Sequence, residues 1–519
     1  MPEETRDTPA SGPRATRREW IGLAVIALPC LLYSMDLTVL NLAVPTLTAD
    51  LRPSAAQLLW IVDIYGFLVA GSLITMGTLG DRIGRRKLLM IGAAVFGLAS
   101  LLAAFADTAE TLIAARALLG VAGATVAPST LSLIRNMFHD PQQRTFAISV
   151  WITGYSVGGA VGPLLGGLML QHFWWGSVFL LAVPVMVLVL IVAPILLPEY
   201  RDPQAGRLDL ASAVLSLAAV LAAIYGIKML AEHGPGWAPL LWILAGLAIG
   251  AVFVRRQARL DDPLIDLRLF RSPAFGAALA VNVLGLFAVF GTFLFVAQYL
   301  QLVLGLSPLE AGLWTLPSSL AFVAGSMLTP MALRRTRPVV LMAGGLLVAA
   351  LGFLALTLVD YVSGPALLAG AAVVFATGLS PVFTLTTDLI VGAAPPERAG
   401  SAAAISETGA EFGGALGIAV LGCIATALYR GVMMDGVPAG VPPEAAEAAR
   451  ATLGGALGAA RDLSGGAGRA LAAAARGAFT HAFGLAALVS AAIAVVAAVL
   501  AATVLGSRPR QGAEVPATD

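Results

Sequence analysis

Fourteen runs of apolar residues, each about as long as the roughly 20 residues a bilayer-crossing helix needs, dominate this chain. By number they are 20–46, 57–79, 88–106, 110–136, 146–168, 175–197, 209–231, 238–258, 273–300, 309–332, 338–359, 364–392, 400–428 and 478–506. In hydrocarbon every backbone polar group must be satisfied within the chain, so runs of this length predict helices. The expected fold class is an all-α polytopic membrane protein with 14 transmembrane helices. Only 12% of the 519 residues are charged, against about 25% in soluble domains. The balance of 31 basic and 30 acidic residues gives no nucleic-acid face. Cys30 and Cys423 lie in apolar runs and read as small core residues, not as disulfide or metal ligands. No cleavable signal peptide is expected, because the first eighteen residues are polar and Arg-rich and the run after them is too long.

Positive charge sets an orientation, since short cytoplasmic loops collect Arg and Lys. With the N-terminus inside, the inner segments hold Arg6, Arg14, Arg17 and Arg18, then Arg82, Arg85, Arg86 and Lys87, then Arg135 and Arg144. They continue with Arg201 and Arg207, the five arginines of 255–271, Arg334, Arg335 and Arg337, Arg398, Arg508 and Arg510. The short outer loops hold Arg52 alone, so both termini are expected to be cytoplasmic. The long outer segment 429–477 is Ala/Gly-rich with one helical stretch, AAEAARATLGGALGAARDL. It reads as a linker with a surface helix, or else as a gate at the outer mouth.

Two stretches repeat. SVGGAVG (156–162) parallels EFGGALG (411–417), and one run earlier ATVAPSTLSLI (124–134) parallels TGLSPVFTLTT (377–387), Pro128 matching Pro381. A duplicated six-helix unit accounts for this, chance similarity among Gly/Ala-rich helices being the competing account. The predicted domains are a tail 1–19, a six-helix bundle 20–197 and two inserted helices 209–258. A second bundle, 273–506, carries the 429–477 loop, and a tail 507–519 follows.

The membrane acids carry the chemistry. SMDLTVLNLAVP (34–45) puts Asp36 inside the first run, where a charge costs about 2.5–3.5 kcal/mol on insertion scales. Asp63 lies about two turns into the second run, and Glu407 and Glu411 share one face of the thirteenth. Against them stand Arg116 and Lys228. Asp36 is either a proton and cargo acid or half of an ion pair with Arg116 that pins two helices. Asp63 is a hydrated rim residue or a cavity acid, and the glutamates a cargo site or a polar seam. Lys228 lies near the end of its run and is expected to snorkel to the interface. Tyr33, Tyr65 and Gln298 are singled out as cavity residues; the other aromatics read as packing or interface belt. Ser307-Pro308-Leu309-Glu310 reads as a capping box, which explains Glu310 without function. Asp388 reads as an inner-rim residue, and His172 and His233 fall in outer loops without ligand spacing, so no metal is expected.

GTLGDRIGRRKLL (77–89) combines Gly77, Gly80 and Gly84 for close helix approach and a sharp turn with Asp81, Arg82, Arg85 and Arg86, a spacing that charge bias alone does not produce. It resembles motif A of the major facilitator superfamily. ARALLGVAGA (115–124) resembles motif B, with Arg116 buried, and GYSVGGAVGPLLGG (154–167) resembles motif C of its antiporters. SMDLTVLNLAVP resembles the first-helix signature of the fourteen-helix drug–proton antiporters, the QacA- and EmrB-type exporters. ALRRTRP (332–338), the second-half counterpart of motif A, has lost the Gly and Asp. Gly154, Gly158, Gly162 and Gly166 form a smooth stripe with Gly167 beside it, and Pro163 bends the helix. The stripe serves packing, and the resemblance adds that it seals the cavity against leak.

The resemblance implies a major facilitator fold in a bacterial inner membrane, functional as a monomer. It implies proton-coupled export of lipophilic cationic drugs by alternating access, with no cofactor beyond the proton. Asp36 and Arg116 are assigned to proton coupling; Asp36, Asp63, Glu407, Glu411, Tyr33, Tyr65 and Gln298 to cargo. Burial and a neighbouring arginine act on a carboxylate's proton affinity in opposite directions, so proton and cation are expected to compete for Asp36. A dedicated exporter of one metabolite or antibiotic is the alternative, and a non-transporting sensor a distant one. No P-loop and no catalytic cluster is present, so neither an ATP-driven pump nor an enzyme is expected.

Overall fold

The computed structural model describes residues 14–201, 209–260, 263–360, 364–392, 399–463 and 466–505. Arg6, Arg207, Arg398, Arg508 and Arg510, together with the 507–519 tail and most of the 1–19 tail, lie outside the described residues. Among the described residues fourteen helices are long and apolar enough to cross a membrane, and there is no strand. The first eight are α1 Arg17–Leu51, α2 Ala55–Ile83, α3 Arg85–Ala104, α4 Ala109–Met137, α5 Pro141–His172, α6 Ser177–Leu196, α7 Leu210–His233 and α8 Trp237–Gln257. The rest are α9 Pro273–Val303, α10 Pro308–Leu333, α11 Pro338–Leu356, α12 Gly364–Gly392, α13 Ala399–Gly436 and α14 Gly466–Leu505.

Local chemistry fixes the helix starts. Thr16 with Glu19, Ser54 with Gln57, and Ser307 with Glu310 form capping boxes, each satisfying backbone donors that a helix N-terminus leaves open. The Glu310 carboxylate accepts the Ser307 N–H at 2.8 Å, as its spacing predicts. Gly84 breaks the chain between α2 and α3 at φ +112°, where a side chain would be strained and would run into Glu199.

Helix ends differ from the hydropathy reading. α1 continues to Leu51, α13 to Gly436, and α14 begins at Gly466, twelve residues before the apolar run. Alanine sustains a helix beyond the bilayer without any need for apolarity. The outer segment is correspondingly shorter, and its single expected helix is two, Pro443–Ala451 and Leu453–Asp462. Thr452 adopts an extended conformation between them (φ −150°, ψ 157°) and its hydroxyl caps the second from Gly455 N at 3.0 Å.

α1 lies along α5, and α9 lies along α13, in the same manner. Added Cβ atoms on Gly158 and Gly162 would run into the Leu31 carbonyl and the Met35 side chain of α1; on Gly413 and Gly417 they would run into the Val283 and Phe287 carbonyls of α9. Close backbone approach of this kind is what small residues allow in lipid. Gly154 and Gly166 extend the stripe to Ala27 and Val39, while Gly167 turns instead onto Leu309 of α10. α2 packs on α13 and α5 on α10, joining the two groups of helices. These contacts gather toward the end carrying the Pro443–Ala451 helix: Leu59 meets Gly422, the Pro163 carbonyl meets Gly312, and Gln301 donates to the Leu42 carbonyl at 3.0 Å. α7 and α8 pair with each other, and α7 leans on α2 and α13.

Candidate transport site

Arg116 sits about two turns into α4, 1% exposed. Its Nη1 is 2.5 Å from Asp36 Oδ2, its Nε donates to the Ile61 carbonyl at 3.1 Å, and its Nη2 reaches the Val62 carbonyl at 3.5 Å. The guanidinium carbon lies 4.6 Å from the centre of the Tyr65 ring. A buried guanidinium needs most of its donors matched, and here backbone, carboxylate and ring supply the partners.

Asp63 of α2 is fully enclosed and meets Lys228 of α7, Nζ lying 2.9 Å from both carboxylate oxygens. The two side chains are 0% and 1% exposed. This selects one of the two readings of Asp63 and corrects the expectation for Lys228. Asp63 is no rim residue, and Lys228 does not snorkel. The rotation of α7 turns the lysine toward α2 and away from lipid, where a buried carboxylate meets it.

A cavity of about 200 Å³ lies where α2 and α13 face each other, lined by Asp63, Gly66, Arg116, Glu411 and Gly414, with Leu40, Val62, Leu286, Phe290 and Ile418 as apolar wall. Glu411 accepts a hydrogen bond from the Tyr33 hydroxyl at 2.5 Å, which ties α1 to α13. Glu407, one turn earlier on α13, is exposed to solvent-accessible space although helices surround it. Tyr65 is wholly buried beside Tyr33, ring centres 6.1 Å apart.

Of the predicted cargo residues, Asp63 and Glu411 line this cavity; Tyr33, Tyr65 and Glu407 are not among its lining, and Asp36 and Gln298 border other pockets. Asp36 lines a narrow pocket of about 20 Å³ between α1, α3 and α6, with Phe96, Ser100 and Phe179. Its carboxylate therefore looks away from the α2–α13 cavity, and Arg116, which borders that cavity, stands between them. Gln298 donates to the Leu294 carbonyl at 3.3 Å and lines a separate outer pocket with Tyr429 and Leu453. Depth within a helix placed it correctly, but its side of α9 faces the Leu453–Asp462 helix. The residues that sequence reasoning passed over are Lys228 and Trp60, whose ring centre lies 3.6 Å from Lys228 Nζ. A signal existed: the chain has only two lysines, and this one falls inside an apolar run.

In the 77–89 loop Arg85 bridges Asp81 at 2.5 Å and reaches the Pro128 carbonyl at 3.3 Å. Arg86 donates to the Leu197 carbonyl at 3.0 Å, and its backbone N–H to Glu199 at 3.1 Å. Arg82 is exposed, Gly80 gives room to the Arg85 side chain, and Gly77 lies against Pro128. The loop thus fastens α2 and α3 to the C-terminal halves of α4 and α6.

The family model described as Major Facilitator Superfamily matches residues 26–418. The chain belongs to this superfamily. The multidrug efflux pump LfrA of Mycolicibacterium smegmatis is 43% identical over 485 residues, covering 93% of this chain and 96% of that one. The methyl viologen resistance protein SmvA of Salmonella typhimurium is 36% identical, covering 89% and 93%. The tetracenomycin C resistance and export protein of Streptomyces glaucescens is 33% identical, covering 96% and 94%. Among solved structures, a bacterial homolog of the human lysosomal transporter Spinster, inward-facing and unoccupied, superposes with a TM-score of 0.66 at 19% identity, over 96% of this chain and 100% of that one. That likeness concerns the fold. Membership makes the chain a transporter and not an enzyme, a multi-pass protein of a bacterial inner membrane that works without a cofactor.

Proposed function

We propose that this superfamily member exports lipophilic organic cations in exchange for protons. The observation that carries the reading is the cavity between α2 and α13, where the carboxylates of Asp63 and Glu411, with Arg116, stand in an otherwise apolar wall. Apolar walls with few placed charges suit a hydrophobic ion, and the negative groups select its sign. The relative SmvA, named for methyl viologen resistance, supports this, because methyl viologen is an organic dication.

Two six-helix repeats joined by α7 and α8 supply the moving parts, the α1–α5 and α9–α13 seams being equivalent. Both termini lie in the cytoplasm on the arginine argument, and one chain suffices as the working unit. On that orientation the contacts Leu59–Gly422 and Gln301–Leu42 close the outer end, so the cavity loads from the cytoplasm. Rocking of the repeats then exposes it outward.

Asp36 holds the proton and the cavity acids hold the cargo. Because the two sites are separate, their exclusion acts through Arg116. When Asp36 is ionised it holds the guanidinium; when it is protonated the guanidinium is freer to turn toward the cavity, where its positive charge repels a cation. Exchange of one cation for more than one proton draws also on membrane potential, about 2.3 kcal/mol per net charge per 100 mV. Ethidium efflux from energised cells, with and without a protonophore, tests the reading. Efflux that stops on adding the protonophore is expected, and efflux insensitive to it sinks the proposal.

A dedicated self-resistance exporter is the second reading. The Streptomyces relatives named for tetracenomycin C and puromycin resistance favour it, at 33% identity each. Efflux of several unrelated cations would decide against it.

A further inference from the structure

We propose that Lys228 is a tethered resident cation: it occupies the Asp63 site while no cargo is bound, and an organic cation displaces it. The proposal rests on the function just given and names the event at one of its acids.

The geometry is that of an occupied cation site. The Lys228 ammonium lies 2.9 Å from both Asp63 oxygens and 3.6 Å from the centre of the Trp60 ring. Trp60 and Asp63 stand three residues apart on one face of α2. A carboxylate beside an aromatic face is the arrangement that binds quaternary and aromatic cations. Here the ligand is part of the protein. The groups around it are Trp60 and Asp63 from α2, Arg116 from α4 and Cys423 from α13, with Glu411 across the cavity.

Asp63 has two sides. One meets Lys228, and the other borders the cavity of about 200 Å³. Asp63 belongs to the cavity wall while its carboxylate is covered, so a cation entering the cavity reaches the carboxylate only as the lysine withdraws. An empty site with a bare buried carboxylate is unfavourable, and so is a site with two cations on one carboxylate. One charge for one charge is the exchange that keeps the site neutral.

The lysine also has somewhere to go. Lys228 lies five residues from the C-terminal end of α7 at His233. Four flexible methylenes let an ammonium near a helix end reach the water boundary. α7 belongs to the pair inserted between the repeats, and its Val214, Tyr225 and Leu230 are exposed. The inserted helices thus deliver a competitor to the cargo site. Neutral molecules cannot replace the lysine, which restricts this route to cations, and the returning ammonium helps expel cargo.

The chain's only lysines are Lys87 and Lys228, which makes a direct test possible without altering the protein. Purified full-length protein in detergent is acetylated briefly with acetic anhydride at pH 8, with and without saturating tetraphenylphosphonium, and the two lysines are quantified by mass spectrometry. Displacement raises Lys228 labelling at least fivefold and leaves Lys87, exposed in the 77–89 loop, unchanged. Unchanged or reduced labelling of Lys228 overturns the proposal. A second arm measures tetraphenylphosphonium affinity. Lys228→Met removes the competitor and is expected to bind at least tenfold tighter at pH 8, while Lys228→Arg stays within threefold of the parent. The double substitution Asp63→Asn, Lys228→Met leaves no buried charge and should lose that gain. Wild-type affinity in Lys228→Met, or equal affinity in the single and double variants, overturns the proposal while leaving cation export standing. Failure of the unaltered protein to bind tetraphenylphosphonium at all overturns both.

Discussion

The buried ion pairs Asp36–Arg116 and Asp63–Lys228 share a chemistry and differ in redundancy. Arg116 is held by Asp36, by the carbonyls of Ile61 and Val62 and by the Tyr65 ring, so its charge stays solvated by protein if the carboxylate changes. Lys228 has the Asp63 carboxylate and the face of Trp60. Asp36, 14% exposed, keeps a narrow pocket beside it, whereas Asp63 is sealed on the lysine side. A pair with spare partners can cycle through a proton without loss of structure. A pair with one anion and one cation can cycle only by exchanging one of them for another ion.

The largest expected effect of breaking this contrast comes from Arg116→Ala. It strands Asp36 and two carbonyls in the bundle, at a loss of about 3–5 kcal/mol, read as a collapse of the melting temperature in detergent or of the yield of monodisperse protein. Asp36→Asn should instead keep the fold, because the guanidinium retains its carbonyl partners, while proton-driven ethidium efflux falls to background. Export at the parental rate would remove Asp36 from coupling. Asp63→Asn is expected to lower the melting temperature more than Asp36→Asn does, since Lys228 loses its only carboxylate. Equal melting temperatures would mean that the two pairs are not different in kind.

Smaller effects come from the seams. Gly158→Ala drives a methyl into the Leu31 backbone and Gly413→Ala into Val283, each at about 1–3 kcal/mol of overpacking. Matching losses would sharpen the equivalence of the α1–α5 and α9–α13 seams; a loss at one seam alone would break it. The mildest is Tyr33→Phe. It removes one hydrogen bond to Glu411, worth about 0.5–1.5 kcal/mol net, and should narrow the range of cations exported while leaving expression intact. An unchanged resistance profile would reduce that bond to structure.

What could be read in advance followed from composition and from spacing along one helix. Arg116 was recognisable because a charge at mid-helix must have a partner, and the Gly stripe because residues four apart share a face. Ser307 and Glu310 were legible as a cap because that interaction is local. Lys228 was misread because distance from a helix end says nothing about which way a side chain points. Gln298 failed for the same reason, its depth right and its direction wrong. Asp36 was placed beside Arg116 correctly, yet its own pocket opens between α3 and α6, and no pattern in the first helix records that. Thr452 hides a break in a continuous Ala/Gly helix pattern, because alanine-rich sequence continues on both sides of it and carries no signal for the extended residue between.

The amino-acid order alone determined that this chain crosses a membrane fourteen times, that mid-helix charges such as Asp36 and Arg116 must find partners, and where glycine lets helices touch. These follow from the energetics of hydrocarbon acting on each segment by itself. The tertiary structure decided which acid meets which base, and which of them border the cavity. Those outcomes depend on the rotation of each helix about its own axis, set jointly by all of its neighbours and written in no single segment.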